Sequence, residues 1–140
     1  MLERLRRLRA DAPRQWGRMS AHQMLCHLND SFRGVIGERA ISPASSAFTR
    51  TVLKCVALYA PMAWPRSIPT RPEVDAEIGG TKPSEFARDL GELETLIARF
   101  ARSENDVTSY THPAFGHMSK PQWMRWVWLH VDHHFRQFGV

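Results

Sequence analysis

The sequence predicts an all-α protein: a four-helix bundle with a short N-terminal helix and long connecting loops, built as one domain over residues 1–140. Three observations carry that expectation. Apolar residues recur at steps of three and four, two segments open on Ser-x-x-Gln capping boxes, and no stretch shows the strict alternation of a half-buried strand. A chain of 140 residues with 43% hydrophobic and 24% charged side chains is large enough for a real core and too apolar for disorder.

Each helix has its own signal. Leu2, Leu5 and Leu8 give a short first helix, from about Leu2 to Ala10, an inner stripe, and its arginines face water. Ser20 and Gln23 cap the second helix, which runs to about Ile36 and stops before Gly37. Met24, Leu28, Phe32 and Val35 form its core stripe. The third helix is expected over roughly Ser46 to Tyr59, with Phe48, Val52, Cys55, Val56 and Tyr59 at helical spacing and Pro61 ending it. The fourth begins near Thr81 to Ser84. Its Phe86, Leu90, Leu93, Ile97 and Phe100, at steps of four, three, four and three, make the clearest amphipathic pattern in the chain. The fifth opens at Ser119, with Pro121 in its first turn and Gln122 completing the capping box, and continues to Phe138. Residues 61–82, rich in Pro and Gly, form a long connection of the kind that is functional or wraps the surface. Ser103 to Met118 reads as a second irregular segment.

Composition narrows the function classes. No apolar run approaches the roughly 18 residues of a membrane span. The N-terminal MLERLRRLRADAP has neither an apolar core nor a small-residue cleavage site, so it does not read as a secretory signal. Cys26 and Cys55, both in expected helices, read as reduced core residues of a cytoplasmic protein. The net charge of +5 is spread over surface arginines without an aromatic-interleaved basic motif, and a nucleic-acid partner is not expected.

Chemistry concentrates in the histidines. His130 and His134, at i and i+4, share one face of the last helix together with Trp123, Trp126, Val127 and Gln137, while Arg125, Asp132 and Arg136 mark the opposite side. His133 falls away from that pair. On the second helix His27 sits at the edge of the core stripe beside Gln23, Ser31 and Gly34, which suits a cleft. A third imidazole from another helix would complete a three-nitrogen site with open positions for water or substrate. The competing reading is a set of hydrogen-bonded core histidines, since each buried neutral ring needs polar partners. Val131 stands where a zincin helix carries glutamate, which disfavours that protease class.

Two segments, WGRMSAHQMLCHL and THPAFGHMS followed by W and HVDHHFRQFG, resemble the DinB-like (DinB/YfiT) superfamily of metal-dependent proteins, in an uncharacterised branch that is a domain of unknown function. The resemblance spans nearly the whole chain in order. It implies a four-helix bundle with a divalent ion, zinc or nickel, held by His27, His130 and His134, the set the helix wheels favour independently. It also implies a metal-dependent transferase in which a low-molecular-weight thiol attacks a small electrophilic substrate. Two rivals stand beside it: a noncatalytic metal-binding or stress-response module working as a dimer, and a metal-free basic bundle that touches nucleic acid.

Other positions carry secondary expectations. His112 and His117 either overhang the site or belong to a tight turn before the last helix. Asp30 could orient a ring but reads more simply as a surface aspartate, Gln137 could hydrogen-bond near His134, and Cys26 and His22 point away from the site. The last helix is apolar over more than one face, through Met124, Trp128, Val131 and Phe135. It is therefore either central to the bundle or buried in a homodimer through the Met124, Trp128 and Phe135 side.

Overall fold

The computed structural model describes residues 1–102 and 111–140. It is all-α apart from one minimal hairpin. The helices are α1 (Leu2–Leu5), α2 (Ala21–Val35), α3 (Lys54–Tyr59), α4 (Phe86–Arg102) and α5 (Lys120–Gln137); a π-helical turn, Thr49–Leu53, runs directly into α3. Strands β1 (Thr111–His112) and β2 (Gly116–His117) pair antiparallel.

Both capping boxes form as their sequences dictate. The Ser20 hydroxyl accepts from the Gln23 amide while the Gln23 side chain accepts from the Ser20 amide, and Ser119 and Gln122 do the same for α5. Gly37, at φ 79°, takes the left-handed conformation that lets the chain leave α2. The expected stripe of α2 is buried throughout, with Met24 and Leu28 at 0% exposure. It packs against α4, where Leu93 is equally enclosed and the buried Phe100 meets Phe32 edge to face at 5.8 Å.

The wide apolar arc of α5 has two explanations, one for each half. Val131 and Phe135 are core residues: the N-terminal segment covers this side, with the Arg4 guanidinium 5.4 Å from the Phe135 ring and ion-paired to Asp132 at 2.7 Å. Phe135 is therefore enclosed within the subunit, which is the central-helix alternative for this side of α5 and not the dimer one. Met124 and Trp128, in contrast, are exposed beside α3.

The third helix differs most from its sequence pattern. Helix does begin after Ser46, whose hydroxyl accepts from Thr49 N. Yet Phe48, Val52, Cys55, Val56 and Tyr59 all face outward, and only Leu58 is buried. The π turn adds a residue to the helical repeat and so rotates α3 relative to an ideal wheel. Cys55 is accordingly a surface thiol, and neither cysteine forms a disulfide.

Within the expected irregular segment, 103–110 lie outside the described residues. The rest forms the β1–β2 hairpin, a local structure too short to leave an alternating pattern. Among the described residues, no helix is long and apolar enough to cross a membrane.

Candidate metal centre

His27 from α2 and His130 and His134 from α5 converge. Nε2 of His130 lies 3.2 Å from Nε2 of His27 and 3.2 Å from Nε2 of His134. All three residues are less than a tenth exposed. The i, i+4 spacing on α5 stacks two rings one turn apart, and the packing of α2 supplies the third. The edge of α2 that carries His27 is no open cleft, however: Ser31 is also buried, and His27 is covered by the 61–82 connection.

The outer nitrogens decide what the inner ones can do. Nδ1 of His27 lies 2.9 Å from the Val74 carbonyl, which can only accept, so Nδ1 carries the proton and Nε2 presents a bare lone pair. Gln137 donates its amide N–H to the Trp16 carbonyl at 2.9 Å, which turns its oxygen toward Nδ1 of His134 at 3.0 Å. His134 is thereby fixed in the same tautomer. His130 Nε2 thus faces two lone pairs and, with one proton at most, can satisfy only one of them at a time. A cation at the centre satisfies all three. Nitrogens bound tetrahedrally at about 2.0–2.1 Å stand roughly 3.3 Å apart, close to the spacing found here. The donor set fits a divalent ion.

Burial reinforces the neutral, ligating form. Desolvation lowers the pKa of His27, and it drives His130 and His134 well below the usual histidine value with help from their neighbouring rings. Three imidazoles that remain neutral leave the ion's full charge available to polarise a further ligand.

The long connection is what holds the outer shell in place, and its anchor is Asp30. This residue is at 0% exposure, not a surface aspartate. Its carboxylate accepts from the Thr81 amide and hydroxyl, both at 2.7 Å, from Arg39 at 2.9 Å and from Arg33 at 3.2 Å. Arg39 also donates to the carbonyls of Glu73 and Gly79, at 2.8 and 2.7 Å. The 3₁₀ turn Pro72–Val74 is pinned between these contacts, and the Val74 carbonyl meets His27 as a result. Gly80 is required here, because a Cβ would come within 2.7 Å of the Asp75 backbone. The i, i+3 spacing of Asp30 and Arg33 is a signal that could have found that pair, but no sequence signal links Asp30 to Thr81, or His27 to Val74.

Aromatic rings wall the centre. Trp126 lies 4.6 Å from His130 between ring centroids, Trp64 lies 6.2 Å from His130 and 6.1 Å from His133, and Trp16 lies 5.8 Å from His133. His133 borders the site, its ring 5.3 Å from His134, but is not one of the converging three. His112 neither overhangs nor ligates. Its Nδ1 accepts from the amides of Ala114 and Phe115, closing the hairpin turn, and its ring backs Trp126 at 4.8 Å. Burial pushes the His112 pKa down to about 3. His117 is exposed. His22 and Cys26 point to α4, away from the centre, as the helix wheel indicates.

The fold and site define a class in structural terms: an all-α protein with three buried imidazoles converging from two helices, a group that could hold a metal ion. The chain belongs to the family described as a protein of unknown function, DUF1569, whose model matches residues 1–139. No curated protein and no solved structure matches it.

Proposed function

We propose that this protein is a divalent-metal-binding member of the DinB-like superfamily, and that it acts as a metal-dependent, thiol-using transferase on a small electrophile. The observation that carries the metal reading is the pair of 3.2 Å Nε2 separations, with the protons of His27 and His134 held on the outer nitrogens. The thiol-transfer reading rests on the resemblance of the terminal motifs. A divalent ion held by three neutral imidazoles, zinc or nickel being the best suited, depresses the pKa of a bound thiol or water and leaves coordination positions open. The chain's own residues supply the rest. Val74 and Gln137 fix ring orientation, Asp30 and Arg39 hold the covering loop, and Trp16, Trp64 and Trp126 exclude bulk water.

The test is cobalt substitution of untagged protein. A catalytic centre changes its visible spectrum when a small thiol or imidazole is added, and consumes a general electrophile such as chlorodinitrobenzene with that thiol in a His130-dependent way. A cobalt spectrum indifferent to both ligands favours the noncatalytic module.

The protein is also proposed to form a homodimer, through α3 and the adjoining part of α5. Phe48, Val52, Val56, Tyr59, Met124 and Trp128 are between 41% and 60% exposed, and exposed apolar side chains grouped in this way mark interaction sites. Light scattering at micromolar concentration giving only a 16 kDa species would refute this.

A further inference from the structure

A second cluster lies on the opposite side of α2. His22 and Cys26, again at i and i+4, face Asp89 in the first turn of α4. Nε2 of His22 lies 2.8 Å from Oδ2 of Asp89, and Sγ of Cys26 lies 3.7 Å from that same oxygen. The Ser84 amide also points to it, at 3.3 Å. Arg88 takes the other oxygen, Oδ1, at 3.3 Å. One nitrogen, one sulfur and one oxygen thus lie within 4.8 Å of one another at the interface of two helices. Asp89 and Cys26 are buried, and the His22 side chain remains about a fifth exposed.

We propose that His22, Cys26 and Asp89 form a second metal site, specific for zinc-like borderline ions, that clamps the start of α4 to α2. The donor chemistry supports it. Thiolate, imidazole and carboxylate are the three side-chain ligands that zinc takes, and this set differs from the all-nitrogen centre on the other side of α2. Charge balance supports it too: a divalent cation with one thiolate, one carboxylate and a neutral imidazole sums to zero, so the filled site places no net charge in the interior. The ion would replace the weak thiol–carboxylate contact and the His22 hydrogen bond. Binding releases the Cys26 proton to solvent, and the proton that His22 donates to Asp89 from Nε2 is given up to water while Nδ1 takes one up, so the ring stays neutral and Nε2 is free to ligate. The exposed edge of His22 provides the path of entry, and water can complete the coordination.

The experiment uses untagged, full-length protein carrying Cys55→Ser, which leaves Cys26 as the only thiol. Cobalt titration is expected to give a near-ultraviolet thiolate-to-cobalt charge-transfer band and two ions per chain. Adding His130→Ala, which disables only the three-histidine centre, should leave the band and reduce the stoichiometry to one. Adding Cys26→Ser instead should abolish the band and leave one ion at the histidines. The band reports this site alone, so its result is independent of whether the histidine centre binds. A folded Cys55→Ser protein, checked by circular dichroism, that shows no thiolate band at saturating cobalt overturns the proposal. A band undiminished by His22→Ala overturns the proposed ligand set.

Discussion

The two clusters on α2 are one residue apart in sequence, at Cys26 and His27, yet they are held in opposite electrostatic conditions. The His22–Cys26–Asp89 group is already paired internally, since Asp89 accepts from His22, Cys26, Ser84 and Arg88. The His27–His130–His134 group has its protons drawn outward to Val74 and Gln137, leaving lone pairs facing one another. Helical geometry places both pairs of ligands one turn apart. The difference lies in their surroundings: carbonyl oxygens behind one set of rings, and a carboxylate in front of the other. An ion at the first centre relieves an unmet need for a cation, whereas at the second it must displace existing hydrogen bonds. The first is therefore expected to bind more tightly.

The largest effect expected to sharpen this contrast is loss of a ligand at the first centre. His27→Ala, His130→Ala or His134→Ala should each weaken its zinc affinity by more than about a hundredfold, beyond the range for residues that merely orient ligands. His133→Ala should change it less than about threefold, because that ring only borders the site; both affinities can be read by competition with a chromophoric chelator. Equal losses for His133 and His134 would break the assignment.

Next in size is the Asp30 anchor. Asp30→Ala leaves Arg33 and Arg39 without their shared carboxylate, and a destabilisation of about 2–4 kcal/mol is expected, reduced from the fully buried case because both arginines are partly exposed. Denaturant unfolding measures this, and metal affinity should fall with it as the Val74 carbonyl loses its position.

Gln137→Leu removes the acceptor for His134 while keeping the volume. Its zinc affinity should drop by roughly 10–100-fold with little change in stoichiometry. No change would mean that His134 does not depend on that contact for its tautomer.

Acidification of the metal-free protein gives a smaller, graded effect. The three central histidines and His112 have pKa values below those of the unfolded chain, so below about pH 6.5 the unfolded state binds more protons than the folded one. Stability is unaffected by these groups above that pH and falls as pH drops through it. Each histidine contributes up to about 1.4 kcal/mol per pH unit until its own folded pKa is reached. A melting temperature constant from pH 7.5 to 5 would contradict the burial of these rings.

The parts of this structure that were legible in the sequence are those set by local geometry. Both capping boxes, the stripes of α2 and α4, and the shared face of His130 and His134 arise from side-chain spacing along single helices, while His27 was reached from its place at the edge of the α2 stripe and from the resemblance of the motifs. Gln137 beside His134 was legible for the same reason, being three residues away on the same face. The features that could not be read depend on distant partners. Asp30 looked like a surface residue because Thr81, about fifty positions on, is what buries it. Phe135 looked available for a dimer because nothing local shows that the N-terminal segment covers it. The α3 stripe has the period of a core helix but is left facing outward by the π turn and by its place at the edge of the molecule.

Calorimetric zinc titration of untagged Cys26→Ser protein, in which the second cluster has lost its thiolate, tests the three-histidine centre most directly. One ion per chain is expected, bound through the three histidines, with no such binding when His27→Ala is added to the same background. Tight one-to-one binding that survives His27→Ala, or no binding by the folded parent, would contradict the assignment.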